Sequence, residues 1–256
     1  MMQTVTPKDT KLRVQSWTRC RLPIDIPLPA RVLKDYIEDL PDIWHVSLNG
    51  LMNAPGYMYS SYGRNIKNLE EVLFVAVWDD DTSLKAFLES PAYPQYLQAF
   101  GIHDSHTPGA LFTVSPSFLM PRFGLGRRVT TFIFSFTYPA SEENRCDLIG
   151  MQGLLVDRSL SRLGIRCRQV WVREPQIGGH GQLVEKGVVV QSWRDAEMHE
   201  AVDKYIWARE NLQAAVQRIN PLEMEETTWE MAKVEEKEDE DCEEDDGKVD
   251  EVNKLL

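Results

Sequence analysis

Two stretches of this chain make the same moves in the same order. LFVAVWDDDTSLKAFLES, residues 73–90, is an apolar run that ends at Trp78, meets a cluster of acids and then changes to helical spacing. VVVQSWRDAEMHEAVDKY, residues 188–205, does the same around Trp193, 115 positions later. The offset recurs upstream, where RVQSWTRCRLP (13–23) and RVTTFIFSFTYP (128–139) both open with Arg-Val, continue as β-prone runs and stop at Pro. Self-similarity at a fixed offset means that one structural unit is built twice, and each copy must hide the faces it cannot bury alone.

The unit can be read element by element. Phe132, Phe134, Phe136 and Tyr138 alternate with Ile133, Ser135 and Thr137, the period of two that lines one face of a strand. A helical pattern follows this first strand in each half: PARVLKDYIEDL (29–40), and SEENRCDLIGMQGLLVDRSLSRLG (141–164) with Ser141 as N-cap and a stop at Gly164. Two strands come next, YMYSSYGRN with EEVLFVAVW, and IRCRQVWVRE with QLVEKGVVVQSW, the second pair turned by PQIGGHG. The tryptophan stretch then leads into a helix capped by Asp81 or Thr82 in one half and by Asp195 in the other. In the second half that helix carries Met198, Ala201, Val202, Tyr205, Leu212, Ala215 and Val216 on one face. GALFTVSPSFL and PLEMEETTWEMAKV close the halves as last strands.

The order is β-α-β-β-α-β twice, which predicts an α+β fold of tandem ferredoxin-like repeats. Both helices of such a unit cover one face of its sheet, so the two bare faces are expected to cover each other as an intramolecular α+β barrel, an internal pseudo-dimer. The expected divisions are residues 1–122 and 123–234, joined through PRFGLGRR (121–128), with a tail at 235–256.

Charge narrows the partners. The chain carries −12 in all, and residues 235–256 hold twelve Asp and Glu against three Lys, so most of the excess lies in that segment. EEKEDEDCEEDD cannot bury enough apolar surface to offset its ordering entropy and is expected to be disordered. The remainder is close to neutral, and Arg122, Arg127 and Arg128 alone make no phosphate-binding surface, so no nucleic acid is expected. MMQTVTPKDTKLR lacks the apolar core of a signal peptide, and no run approaches the roughly 20 apolar residues of a spanning helix. No membrane association and a cytoplasmic location are therefore expected. Cys20, Cys146, Cys167 and Cys242 stand apart, without metal-ligand spacing, and predict buried reduced thiols and no metal.

A strand ending in Trp, an acidic position after it, and an apolar helix running to Ser-Pro-x-Tyr resemble the antibiotic-biosynthesis-monooxygenase type of the dimeric α+β barrel superfamily. The residues are Trp78, Asp79, Phe87, Ser90, Pro91 and Tyr93, with Trp193, Arg194, Asp195, His199 and Tyr205 in the second half. The resemblance spans about residues 10–234. It implies a cofactor-independent enzyme of aromatic or polyketide-like secondary metabolism, most concretely a monooxygenase of a phenolic small molecule. The alternatives are a cyclase, isomerase or decarboxylase using the same pocket, and a non-catalytic small-molecule-binding or stress-related protein. The haem-degrading branch has its ligand His about ten residues beyond the Trp, where this chain has Phe87 and Leu88, or Val202 and Asp203, so the resemblance implies no haem or other cofactor.

Trp78 and Trp193 each admit two readings, a ring plugging the gap between sheet and helix or a wall for a flat substrate. The halves are unequally equipped: Tyr36, Tyr57, Tyr59, Tyr62, Tyr93 and Tyr96 fall in the first, together with Trp44 and His45. Tyr57, Tyr59, Trp44, Tyr93 and Tyr96 are the candidate substrate-binding residues, because apolar walls with a few hydroxyls suit an aromatic ligand. Trp78, His45, His103 and His106 are the candidate catalytic residues, the last two joined by Asp104 in GIHDSHTPG, where an oriented imidazole could take a phenolic proton. Trp193 and His199 are the second-half equivalents.

Overall fold

The computed structural model describes residues 14–26, 28, 42–99, 112–114, 128–155, 166–172, 175–193, 195–203 and 206–231. The predicted helix at 29–40, the linker up to residue 127 and the tail at 235–256 lie outside the described residues. In chain order the elements are β1 (Val14–Arg21), α1 (Asp42–Met52), β2 (Tyr57–Asn65), β3 (Glu71–Trp78), α2 (Asp81–Leu88), α3 (Ala92–Ala99) and β4 (Phe112–Val114). There follow β5 (Arg128–Thr137), α4 (Glu142–Leu155), β6 (Arg166–Trp171), β7 (Gln176–Ile177), β8 (Leu183–Trp193), α5 (Ala196–Asp203), α6 (Ile206–Ile219) and β9 (Glu223–Met231).

Local chemistry sets several of these boundaries. Trp78 closes β3, and the next amide, Asp79 N, donates to Gly56 O (2.8 Å), so the chain leaves the sheet there. Asp80 is then the extended residue before the helix, and its Oδ1 accepts from Ser83 N (2.8 Å) and Ser83 Oγ (2.8 Å). The cap is one residue earlier than the Asp81 or Thr82 expected from sequence. Asp195 caps α5 as expected, accepting from Met198 N (2.8 Å). The single helix predicted beyond it is two, α5 and α6, as α2 and α3 are two on either side of Ser90-Pro91.

All the strands share one antiparallel sheet in the order β4-β1-β3-β2-β9-β5-β8-β6, with β7 on β8. Counted within its own half, β4-β1-β3-β2 runs fourth, first, third, second, and β9-β5-β8-β6 repeats that order if the two-residue β7 is set aside. One face of the first half carries Val14, Tyr62, Phe74 and Trp78 under Leu48, Leu51, Leu84 and Phe87 from the helices. One face of the second carries Phe132, Phe134 and Val189 under Leu148, Ala215 and Ile219. The opposite faces share a third cluster, in which Trp17, Leu73 and Val75 join Val129, Ile133, Val188, Val190, Trp229 and Met231. The sheet is therefore curled into a half-barrel whose helix-free faces are buried from water.

The halves meet at β2 and β9, with Gly63 opposite Met231, Arg64 opposite Glu230 and Asn65 opposite Trp229. A Cβ on Gly63 would lie 2.4 Å from Glu230 O and 2.7 Å from Met231 Sδ, so this close approach requires glycine. Beside the seam, Arg19 Nε on β1 donates to Glu71 Oε1 on β3 (3.0 Å), and its Nη1 pairs with Glu225 on β9. The guanidinium lies 5.7 Å from the Trp229 ring centroid, and Asn65 Nδ2 donates to the other Glu71 oxygen (2.6 Å). One charged network thus ties β1, β2 and β3 to β9.

Two predictions follow from the seam. Gly63→Ala should destabilise the chain by about 1–3 kcal/mol, the usual cost of overpacking, because the clash is with backbone; an unchanged denaturation midpoint would mean that β2 and β9 separate without cost. Burial acts to raise the Glu71 carboxyl, but hydrogen bonds from Arg19 and Asn65 and the charge of Arg19 outweigh it and hold it below the ordinary range. Its contribution is then complete above the unfolded value, about 4.3, and is lost as pH falls through the lower folded value. Glu71→Gln should lower the melting temperature at pH 7, with the gap to wild type closing as pH falls below about 5; a gap independent of pH would exclude a role for the carboxylate charge.

Candidate functional site

Between the first-half sheet and its helices the aromatic residues form one connected set. Trp44 on α1 stacks on Tyr62 (centroids 6.5 Å apart, planes at 16°), which stacks on Phe74 (5.6 Å, 17°). Phe74 meets Tyr96 edge-on (6.0 Å), Tyr96 meets Phe87 (5.8 Å), and Phe87 meets both Tyr93 (5.7 Å) and Trp78 (5.0 Å). Tyr57 closes the set with its ring at 80° to that of Trp78. The structure thus brings together Trp44, Tyr57, Trp78, Tyr93 and Tyr96, five of the residues singled out from sequence.

Tyr59 does not join them. The register slips between Tyr57 and Tyr59, where Tyr57 pairs with Trp78 and Tyr59 with Val77, so a β-bulge at Met58 sends two residues that would share a face to opposite sides of the sheet. Tyr59 consequently shares the helix-free face with Val75 and Leu73. His45 lies on α1, but its side chain is outside the described part of the structure, and His103 and His106 lie outside the described residues altogether.

Strand hydroxyls bond three of the polar rings of the set. Trp78, fully buried at 0% exposure, donates from Nε1 to Ser16 Oγ (3.0 Å). Tyr96 donates to Thr18 Oγ1 (2.9 Å), and Tyr57 shares a hydrogen bond with Ser60 Oγ (2.7 Å). Burial pushes the phenol groups of Tyr57, Tyr62 and Tyr96 well above the usual tyrosine value, so they remain protonated and act as donors. Cys20, on the same face, is raised by burial to about 12 and is no nucleophile at neutral pH. Cys167 is buried as expected, but Cys146 on α4 is exposed, contrary to expectation.

The second half repeats one of these bonds. Trp193 Nε1 donates to Thr130 Oγ1 (3.1 Å), and Thr130 is the third residue of β5 as Ser16 is the third of β1. The surroundings differ. His199 is the fourth residue of α5, where α2 has the buried Leu84; its ring meets Trp193 edge-on (4.9 Å) and its Nε2 lies 3.4 Å from Thr130 Oγ1. Thr228 Oγ1 is 3.1 Å from the same hydroxyl, and Arg128 pairs with Glu200 (3.3 Å) and Glu230 (2.9 Å). Among the described residues no group of three or more His, Cys, Asp or Glu is arranged to hold a metal ion.

Residues 30–99, which supply α1, β2, β3, α2 and α3, match the family model described as antibiotic biosynthesis monooxygenase. The matched segment is 70 of the chain's 256 residues. All eight rings of the aromatic set belong to it. In overall fold the chain is similar to an anthrone oxidase-like protein, at 14% identity over 88% of this chain and 92% of that one, with a TM-score of 0.55. SnoaB, a cofactor-independent oxygenase from Streptomyces nogalater, aligns at 13% identity over 43% of this chain and 99% of its own, with a TM-score of 0.30. No curated protein matches the sequence. No helix among the described residues is long and apolar enough to cross a membrane.

Sequence reasoning missed Ser16, Thr18 and Ser60, the strand hydroxyls that hold polar rings of the set. Their signal is positional: each is small and polar on the helix-facing side of β1 or β2. Replacing Trp78 by Phe removes the indole donor and leaves the buried Ser16 hydroxyl unpaired, whereas Thr130 keeps Thr228 and His199 as hydrogen-bonding neighbours when Trp193 is replaced. Trp78→Phe should cost about 1–3 kcal/mol, the range for an orphaned buried polar group, and Trp193→Phe less, read from denaturant unfolding. Ser16→Ala in the Trp78→Phe background should restore part of the loss, and a strictly additive double mutant would refute the pairing.

Proposed function

We propose that the chain is a cofactor-independent monooxygenase of a flat phenolic small molecule of polyketide type, with residues 1–122 as the working half and residues 123–234 completing the barrel. The observation that carries this reading is that the segment matching the antibiotic biosynthesis monooxygenase model contains the whole aromatic set. Rings that contact one another edge-on and face-on, with hydroxyls held by β1 and β2, are what a planar, oxygen-bearing ligand would exchange contacts with.

The chemistry needs a base and an acceptor-binding donor. A base removes a proton from the electron-rich ring, and the carbanion reduces dioxygen; a ring methylene loses two hydrogens and gains one oxygen atom, while the second oxygen leaves as water. The tyrosines are kept protonated by burial, so they fit the donor role and not the base. His45, adjacent to Trp44 on α1, is the candidate for the base, with His103 and His106 as the other imidazoles of this half.

One observation favours a second reading, a non-catalytic binding or structural protein. Trp78 is completely buried and makes the same bond as Trp193, which a purely architectural role accounts for. Oxygen uptake separates the two. With anthrone, whose enol form is a flat phenol, the purified chain should consume one dioxygen per anthrone and release the quinone, and Trp78→Phe should slow this far more than Trp193→Phe. Anthrone turnover without oxygen uptake would point to the cyclase, isomerase or decarboxylase alternative. Neither uptake nor binding would leave the binding or structural reading in its place.

A further inference from the structure

We propose that Tyr62 anchors the ligand of the first half, its hydroxyl donating a hydrogen bond to the phenolic or keto oxygen of a flat aromatic molecule; this rests on the aromatic set being the substrate site. Tyr62 is only 2% exposed, and its hydroxyl has no hydrogen-bond partner among the described residues. Its neighbours are treated otherwise. Trp78 has Ser16, Tyr96 has Thr18 and Tyr57 has Ser60, each within 3.0 Å. Three polar rings of the cluster are thus satisfied by strand hydroxyls, and Tyr62 is not.

Leaving a buried hydroxyl unpaired costs about 1–3 kcal/mol, a cost that Phe at the same position would avoid. Buried polar groups are otherwise almost always paired, so an orphan in a ring-lined site calls for a partner from outside the chain. The flanking rings set the shape of that partner. Trp44 and Phe74 lie within 16° and 17° of the Tyr62 plane, a parallel arrangement that accepts a planar ring rather than a bulky aliphatic group. The charge preference follows from the hydroxyl itself. Burial, and next the nearby Tyr57, push its ionisation upward, so it donates throughout the physiological range. A fixed donor in apolar surroundings binds most strongly to an oxygen that gains negative charge, as a phenol or enol oxygen does when the ring loses its proton. Ser61 Oγ also lacks a partner, but it pairs across β2–β3 with Val75 on the helix-free face and belongs to no part of this site.

The test uses two probes of the same shape, 1-naphthol and naphthalene, with dissociation constants from equilibrium dialysis on the full chain. Wild type should bind 1-naphthol more tightly than naphthalene. Tyr62→Phe should weaken 1-naphthol about tenfold, the worth of one good hydrogen bond, and leave naphthalene unchanged. The melting temperature of the ligand-free variant should equal or exceed that of wild type, since an unpaired hydroxyl has been removed. Equal weakening of both probes, unchanged 1-naphthol binding, or a lower ligand-free melting temperature would each overturn the assignment of Tyr62. If wild type binds 1-naphthol and consumes oxygen with anthrone while Tyr62→Phe does both equally well, Tyr62 alone is refuted. If wild type binds neither probe, the substrate-site reading fails and the inference with it.

Discussion

A sheet with helices on one face has a second face that must be kept from water, and among the described residues its cover is the rest of the same sheet. Trp17, Leu73 and Val75 from the first half meet Val129, Val188, Val190 and Trp229 from the second because the strands curl through the β2–β9 junction. That junction has three paired positions, against eight between β1 and β3, so it holds the halves together with little backbone bonding of its own. Its closeness depends on Gly63, and its charge network on Arg19, which reaches from β1 to Glu71 and Glu225 and covers the Trp229 ring. Burying apolar surface on both sides of the junction supplies the driving force, and the glycine permits the approach.

The same constraint explains what the sequence revealed. Strands buried on both faces still show their period where the aromatics are large, and Phe132, Phe134 and Phe136 lie on the helix-facing side of β5 as their alternation predicts. The turn at PQIGGHG was legible because Gly181 has φ +79° and Gly178 N donates to Gln182 O (2.7 Å), a geometry that glycine favours. The bulge at Met58 was not. In YMYSSY every residue suits either face of a strand, so nothing local marks where the register slips, and Tyr59 was grouped with Tyr57 for that reason. Three consecutive aspartates hid the helix cap in the same way: Asp79, Asp80 and Asp81 are equally good by type, and only the end of β3 selects Asp80. Cys146 was read as buried from its residue type, but on α4 it is Leu148 that fills the buried position.

The aromatic set was legible in outline because aromatic residues are scarce, and a concentration of them in one half stands out without knowledge of the fold. Its polar side was not, because serine and threonine are common in strands and acquire meaning only once register fixes which ring they face. Tyr62 illustrates the limit. In sequence it is one of six tyrosines in the first half, and only the pairing of its neighbours distinguishes its hydroxyl.

The two halves separate architecture from chemistry. A feature found in both, the indole donating to the third residue of the first strand, is required by the fold whether or not a ligand is present. Features found in one half are free to serve a reaction. In the first half Trp78 is enclosed by Tyr57 and Phe87, and burial raises the phenols of Tyr57, Tyr62 and Tyr96. In the second, the corresponding hydroxyl is shared among Trp193, His199 and Thr228. Thr130 has one proton and two lone pairs, so with the indole N–H occupying one lone pair, its own proton can be given to His199 or to Thr228 but not to both. If His199 gains a proton at Nε2, Thr130 must turn its hydroxyl to Thr228 on β9, the strand that makes the junction between the halves. The indole bond of the second half is thereby coupled to the strand that joins the halves, whereas the hydroxyls that hold Trp78, Tyr96 and Tyr57 all lie within the first half, on β1 and β2.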